Sequence, residues 1–406
     1  MELWEQLFLP EKWQEFLTYK SEKQHLSERE VKEMQQYITQ EAYLPILAKL
    51  EDRECALPLP NKKEVNKSGV TKKRIVYSFP KDFNMLLKML AYLLFRYDGI
   101  FADNCYAFRR NYGVKDAVRR IRSTKEIHEK YCLKVDISNY FNSINVEKLL
   151  GKLNFLKEKD KKLFSFLERL LTADVALCCT DGQDCIIKEK RGAMAGTPLS
   201  PFLANVYLME VDWLFAKAGV LYFRYSDDIL IFADSEEQLK QLQNQLYERI
   251  TAHGLILNPA KVQMSKPGEQ FEFLGFCFRN GQVDLSDSTC NKIKGKIKRK
   301  AHALRRWQKQ KNLPPERGAK GFIKAMNRKF YDSGDGTEFS WSRWFFPCLT
   351  TAQRLNEIDA YMQQYIRFCI TGRHYKGNYR ITYEQMKQWG YRSLVHEYYE
   401  KNGSCR

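Results

Sequence analysis

Paired cysteine motifs are missing from this chain. Its eleven cysteines include no C-x-x-C spacing, and their odd total argues against a disulfide framework or a zinc site and for reduced thiols in a cytoplasmic protein. Long apolar runs are missing too: the best, Met85 to Phe95, is short and broken by Lys88, so no membrane span is expected. The first residues, MELWEQLFLPEK, are acidic where a secretory leader is basic, which argues against secretion. Acid is the scarcer charge. Lys and Arg total 67 against 49 Asp and Glu, a formal +18, and this balance points to a polyanionic partner, above all nucleic acid. Hydrophobic residues are not scarce: at 44% of 406 residues they can bury two or three sub-domains.

The stretch that organises the rest is Leu221 to Ala233, LYFRYSDDILIFA. Two apolar, aromatic-rich runs flank Ser226, Asp227 and Asp228, the pattern of a hairpin with two adjacent carboxylates at its tip. Carboxylates between buried runs cost several kcal/mol unless a positive group neutralises them, and no Lys or Arg follows in the second strand. A divalent cation fits that need; taken alone, an ordinary turn containing Asp-Asp fits the segment as well.

Residues 1–55 read as helices, with Leu26, Ser27 and Glu30 forming a capped start. Pro58 to Lys73 is rich in Pro, Asn, Gly and Lys and leads into the basic strand Lys72 to Tyr77, suited to clamping a triphosphate or a template backbone, or to serving as a solvated edge strand. Arg109 and Arg110 follow aromatics and precede Arg119, Arg120 and Arg122; guanidinium groups so interleaved suit phosphate and base contact, or a solvated helix face. Tyr131 to Ile137 is a buried-type strand carrying Asp136 near its end. Asp136 and Asp227 on neighbouring strands could share two magnesium ions about 3.5–4 Å apart, the arrangement used in phosphoryl transfer. Between them, Gly192, Gly196 and Pro198 make an irregular loop that feeds a helix with Ser200 as N-cap and Pro201 at its first position. After the hairpin, Ser235 and Gln238 cap an amphipathic helix that stops at Gly254.

Strand with Asp, helix, acidic hairpin, helix, strand is the order of an antiparallel sheet backed by two helices. The ordered set VDISNYF, GTPLSPFLAN, YSDD, LNPAK and FEFLGF, from Tyr131 to Phe278, resembles motifs A to E of reverse transcriptases, especially the bacterial group II intron, retron and defence-associated enzymes. KKRIVYSFPKDFNM and NCYAFRRNYGVKDAV resemble that group's finger motifs. The resemblance implies an α+β right-hand polymerase: an N-terminal helical extension at 1–56, fingers at 57–130, a palm at 131–285 with finger insertions between motifs A and B, and a basic helical thumb with C-terminal extension at 286–406. It implies two Mg²⁺ ions on Asp136 and Asp227, with Asp228 beside them and the Ile137 carbonyl completing the site. Phe141 matches the steric gate that favours dNTPs, and Lys261 matches the motif D lysine, a candidate general acid for pyrophosphate. Lys72, Lys73 and Arg74 would hold the triphosphate; Ala195 and Gly196 would border the nucleotide; Phe273, Leu274 and Gly275 would form the primer grip.

One departure stands out. Met194-Ala195-Gly196 replaces the usual Pro-Gln-Gly of motif B, which moves the chain away from retrons and introns toward divergent defence-associated enzymes. Beyond Asp287, Asn291 to Trp307 is basic enough to follow a phosphate backbone, or to be a solvated charge run; Leu313 to Gly336 reads as loop-rich, and the aromatic, periodic remainder reads as a small helical bundle. The expected activity is RNA-directed DNA synthesis on a structured non-coding RNA, giving an RNA–DNA duplex, in bacterial anti-phage defence. The alternatives are a group II intron maturase, a retron-type enzyme, although no N-A-x-x-H run is present, and a catalytically inactive RNA-binding scaffold. Oligomeric state is left open.

Overall fold

The computed structural model describes all residues except 25, 53, 67–72, 181–182, 332–339 and 404–406. It comprises two units, Met1–Ala117 with Glu129–Pro267, and Val118–His128 with Gly268–Arg406. Among the described residues, no helix is long and apolar enough to cross a membrane.

The first unit begins with helices, and the Ser27–Glu30 spacing does form a capping box, at the start of Glu28–Thr39. Its strands are β1 (Asn61–Asn66), β2 (Lys73–Ser78), β3 (Tyr131–Asp136), β4 (Val175–Thr180), β5 (Gln183–Lys188), β6 (Tyr222–Tyr225), β7 (Asp228–Ala233) and β8 (Gln263–Ser265). They form two sheets, ordered β2-β1-β4-β5 and β6-β7-β3-β8. Every pairing in the second is antiparallel. Ile229, Leu230 and Ile231 on β7 are completely buried, each contributing about 1.5–3 kcal/mol of burial. The helices Ser200–Lys217 and Glu236–Ala252 pack on this sheet and complete the core around it.

Ser200 is not the cap of its helix. Leu199 occupies that place, and the Ser200 hydroxyl turns back to donate to Met194 O at 2.6 Å, so the side chain ties down the loop before the helix. Ser235 does cap Glu236–Ala252, accepting from Gln238 N–H at 3.1 Å.

The second unit holds an antiparallel meander of β9 (Phe271–Phe273), β10 (Phe276–Arg279) and β11 (Gln282–Leu285), followed by mutually packed helices Asp287–Gln310, Pro315–Phe330 and Gln353–Thr371. Most of the expected loop from Leu313 is therefore helix. Pro314 and Pro315 are compatible with a helix start, and Phe322, Ile323, Met326 and Phe330 bury one side of it.

Candidate active site

The register of the central sheet puts the acids together. β3 and β7 run antiparallel with Asp136 directly opposite Asp228, and side chains so opposed stand on one face of the sheet. The hairpin turn between β6 and β7 is Ser226-Asp227, because Tyr225 pairs with Asp228. Ser226 is held at φ +62, a left-handed conformation that disfavours residues with a Cβ. Ile137 N–H donates to Asp227 O at 3.0 Å, and Asn258 N–H donates to Asp136 O at 2.8 Å, so the ends of both strands are held by backbone bonds. Lys261, in the turn that follows Asn258, places Nζ 2.5 Å from Asp136 Oδ2. Sequence-expected Asp136, Ile137, Asp227, Asp228 and Lys261 thus converge.

Asp136 is buried, while Asp227 and Asp228 are half-buried. Burial raises the Asp227 carboxyl above its ordinary value, and the Asp136 charge adds to the rise. Burial, then the neighbouring Asp227 charge, pushes Asp228 up to about 6. Crowded carboxylates that resist ionising are a place where a cation binds with a gain. Among the described residues, no three His, Cys, Asp or Glu side chains form a ready-made metal cage. A small hard ion such as Mg²⁺ does not need one: it keeps several waters and takes one or two carboxylates together with substrate phosphates. The donor set here fits that habit, with Lys261 as the cation already on Asp136.

A second cluster adjoins the first. Asn142 donates from Nδ2 to Ile75 O at 3.2 Å and accepts from Ala195 N–H at 2.8 Å, linking β2 to the loop before helix Ser200–Lys217. Tyr77 N–H donates to Ala195 O at 2.7 Å, and Ala193 N–H donates to Phe141 O at 2.8 Å. The approach is close enough to demand glycine: a Cβ at Gly192 would lie 2.5 Å from Phe141 O, and one at Gly196, with φ +99, would lie 3.0 Å from Tyr77 O. Phe141, Ala195, Gly196 and β2 are therefore one assembly. Arg74 on β2 is exposed, and its charge is among those that oppose the rise at Asp227. Lys73 is engaged elsewhere, with Nζ 2.7 Å from Glu64 on the paired strand. Lys72 lies outside the described residues.

One expectation is redirected. Arg109 is buried and donates to Asp98, to Ala102 O at 2.8 Å and to Cys105 O at 3.1 Å, so it braces its own loop instead of offering its guanidinium to phosphate. Phe273, Leu274 and Gly275 belong to the second unit, where Leu274 at φ +53 and Gly275 at φ +88 make the tight turn between β9 and β10.

Two features escaped sequence reading. Asn142 carries no local pattern that marks it as a clamp. Arg224 on β6 is completely buried and pairs with completely buried Asp212, at 2.5 Å from Oδ2, while its Nη1 donates to Ser226 O at 3.2 Å. The pair secures the acidic turn from inside. Arg224 could have been flagged as a cation in an apolar strand, but its partner lies on the preceding helix.

Comparison with known proteins agrees with this geometry. Residues 61–278, more than half of the chain, match the family described as Reverse transcriptase (RNA-dependent DNA polymerase). The Retron Ec86 reverse transcriptase of Escherichia coli is 24% identical over 180 residues, 43% of this chain and 51% of that protein, so the chain spans about half the length of the curated relative it matches. Among solved structures, telomerase from Candida albicans in complex with a TWJ fragment of telomeric RNA aligns with TM-score 0.47 at 13% identity, over 87% of this chain and 68% of that one. Apo telomerase from Candida tropicalis aligns with TM-score 0.46 at 13% identity, over 82% and 69%. The sheet order, the opposed acids and the family match agree on one conclusion: the chain belongs to the reverse transcriptase family, with the α+β right-hand polymerase fold.

Proposed function

We propose that the chain is an RNA-directed DNA polymerase. The observation that carries this reading is the convergence of Asp136, Asp227 and Asp228 at one end of a buried antiparallel sheet, beside the β2 and Ala195 assembly. Asp136 and Asp227 would hold two divalent ions, read as Mg²⁺, with Asp228 and the Ile137 carbonyl next to them; such ions activate a primer 3′-OH and stabilise charge on the departing pyrophosphate.

The chain's own residues do the rest. Arg74, at the exposed edge of β2, attracts the triphosphate of a dNTP, with Lys72 in support and Lys73 held by Glu64. Phe141, fixed through its backbone bond to Ala193, stands where a ribose 2′-OH would meet its ring. Ala195 presents only a buried methyl where related enzymes carry an amide, so shape and not a glutamine contact borders the nucleotide. Lys261 releases Asp136 and gives its proton to the leaving pyrophosphate. In this reading 1–56 is an N-terminal extension, 57–130 fingers, 131–285 palm and 286–406 thumb and extension. The basic helix Asp287–Gln310 follows the phosphate backbone of an RNA–DNA duplex.

The template is a structured non-coding RNA, the setting is the bacterial cytoplasm, and the purpose is anti-phage defence, a reading supported by the divergent motif B. Primer extension on an RNA template with Mg²⁺ tests the activity: dNTPs are incorporated and NTPs are not, and equal use of both sugars rejects the gate assigned to Phe141. A phage-plaquing assay tests the purpose, since Asp227→Ala loses protection if synthesis is what defends. The likeness to the Retron Ec86 reverse transcriptase favours a retron-type enzyme as the second reading. Sequencing the nucleic acid that co-purifies with the protein separates the two.

A further inference from the structure

The chain turns Phe108 outward between two buried neighbours. Ala107 is completely buried and Arg109 is 8% exposed, whereas Phe108 is 40% exposed. The reversal comes from its backbone, held at φ +59 in the left-handed region, which a bulky side chain adopts only against a conformational cost. A strained residue persists where the structure on both sides over-determines it.

Here both sides are fastened. Before Phe108, Arg224 N–H donates to Asn104 O at 2.9 Å and Tyr106 N–H donates to Arg224 O at 2.9 Å, which ties the segment to β6. Buried Asn205, on helix Ser200–Lys217, donates from Nδ2 to Ala107 O at 2.7 Å. After Phe108, the Arg109 guanidinium spans Asp98 and the carbonyls of Ala102 and Cys105. Bonds on both flanks of one outward ring give that ring a fixed place.

What the ring reaches is aromatic. Its centroid lies 6.1 Å from that of Phe141 at an interplanar angle of 64°, edge to face, and 6.3 Å from that of Tyr225. Both distances fall in the range where aromatic pairs attract. Tyr225 immediately precedes the acidic turn and pairs with Asp228, while Phe141 belongs to the Ala195 assembly. Phe108 therefore spans the gate and the acids. The Ala193 N–H fixes the Phe141 carbonyl but leaves the torsions of its side chain unset. Neighbouring rings set them: Tyr140 at 5.6 Å, itself anchored through its hydroxyl to Ala204 O at 2.5 Å, and Phe108.

We propose that Phe108 is a positioning residue for sugar selection, bracing the Phe141 ring against the incoming ribose and setting its distance from the acidic turn. The inference rests on the reading of Phe141 as the steric gate. A gate that rejects a hydroxyl by contact works only while it cannot swing aside, so loss of the brace admits NTPs.

Single-nucleotide incorporation opposite a template guanine with Mg²⁺, comparing dCTP with CTP, tests the brace. Phe108→Gly removes the ring and suits the left-handed backbone, so the loop keeps its path; Phe108→Ala removes the ring alone, and thermal melts check that both fold. Both are expected to lower the ratio of kcat/KM for dCTP over that for CTP by about tenfold, chiefly through a lower KM for CTP, and Phe108→Tyr, which keeps the ring, retains the wild-type ratio. Phe141→Ala lowers the ratio further, and adding Phe108→Gly to it lowers it no more, because a brace has no effect once the braced ring is gone. The inference is overturned if Phe108→Gly and Phe108→Ala keep the wild-type ratio while Phe141→Ala lowers it, or if the two losses add in the double variant. A failure of the gate reading looks different: Phe141→Ala then keeps the ratio, or the wild type uses both sugars equally, and the inference falls with it.

Discussion

Asp228 carries a proton more tightly in the folded protein than in the unfolded chain, and the sign of its effect on stability follows. A carboxyl raised to about 6 from an unfolded value near 4 stabilises the metal-free fold fully below the unfolded value, and loses that contribution as pH rises through about 6. Asp228→Asn is therefore expected to raise the thermal midpoint of metal-free protein at pH 7.5, by an amount equivalent to about 1–3 kcal/mol, and to leave it nearly unchanged at pH 4. The same variant loses nucleotide incorporation by about a hundredfold or more, the trade expected where an active site is destabilised for its task. Buried Arg224 behaves in the opposite way: removing its partner with Asp212→Asn leaves a buried charge unmatched and costs about 3–5 kcal/mol in a denaturant melt. At this scale the acids were legible because aspartate is out of place in strands. The Arg224–Asp212 pair was not, because two residues on different elements meet only once the helix has packed against the sheet.

Elements brought together by short polar links decide the shape of the proposed nucleotide site. Asn142→Ala removes the link from Ile75 O to Ala195 N–H, and it is expected to raise the KM for dNTP about tenfold and to cost about 1–3 kcal/mol of stability, because the N–H of buried Ala195 loses its partner. Ala195→Gln, the change toward the common motif, does not restore a missing contact in this framework. Ala195 is 3% exposed, so the longer side chain overpacks the loop by about 1–3 kcal/mol and lowers activity; faster or more processive synthesis by this variant contradicts the packing described. Strands and hairpin were readable from alternation and from paired acids, with β3 starting at Tyr131 as expected and ending one residue before the expected Ile137. The helix Pro315–Phe330 was not, since its prolines and glycines signal a loop while its apolar residues keep a helical period. Ser200 misled for a related reason: a serine before a proline is the usual mark of a cap, yet here its hydroxyl serves the preceding loop.

On the scale of the whole molecule, an excess of +18 spread over a 406-residue chain favours nucleic acid of any sequence, and that affinity falls steeply with salt. Reversing Lys298 and Arg299 on helix Asp287–Gln310 to Glu is expected to flatten the slope of log affinity against log salt for an RNA–DNA duplex by about two, with the thermal midpoint preserved. Composition and motif order made the family legible; the division into Met1–Ala117 with Glu129–Pro267 and Val118–His128 with Gly268–Arg406 was not, because it depends on which segments pack together across long separations. The most direct test of the central claim is single-nucleotide incorporation on an RNA-templated primer with Mg²⁺, comparing wild type with folded Asp136→Asn and Asp227→Asn proteins. The wild type is expected to incorporate dNTP and neither variant to do so; incorporation by Asp136→Asn and Asp227→Asn at the wild-type rate contradicts a carboxylate-held metal site.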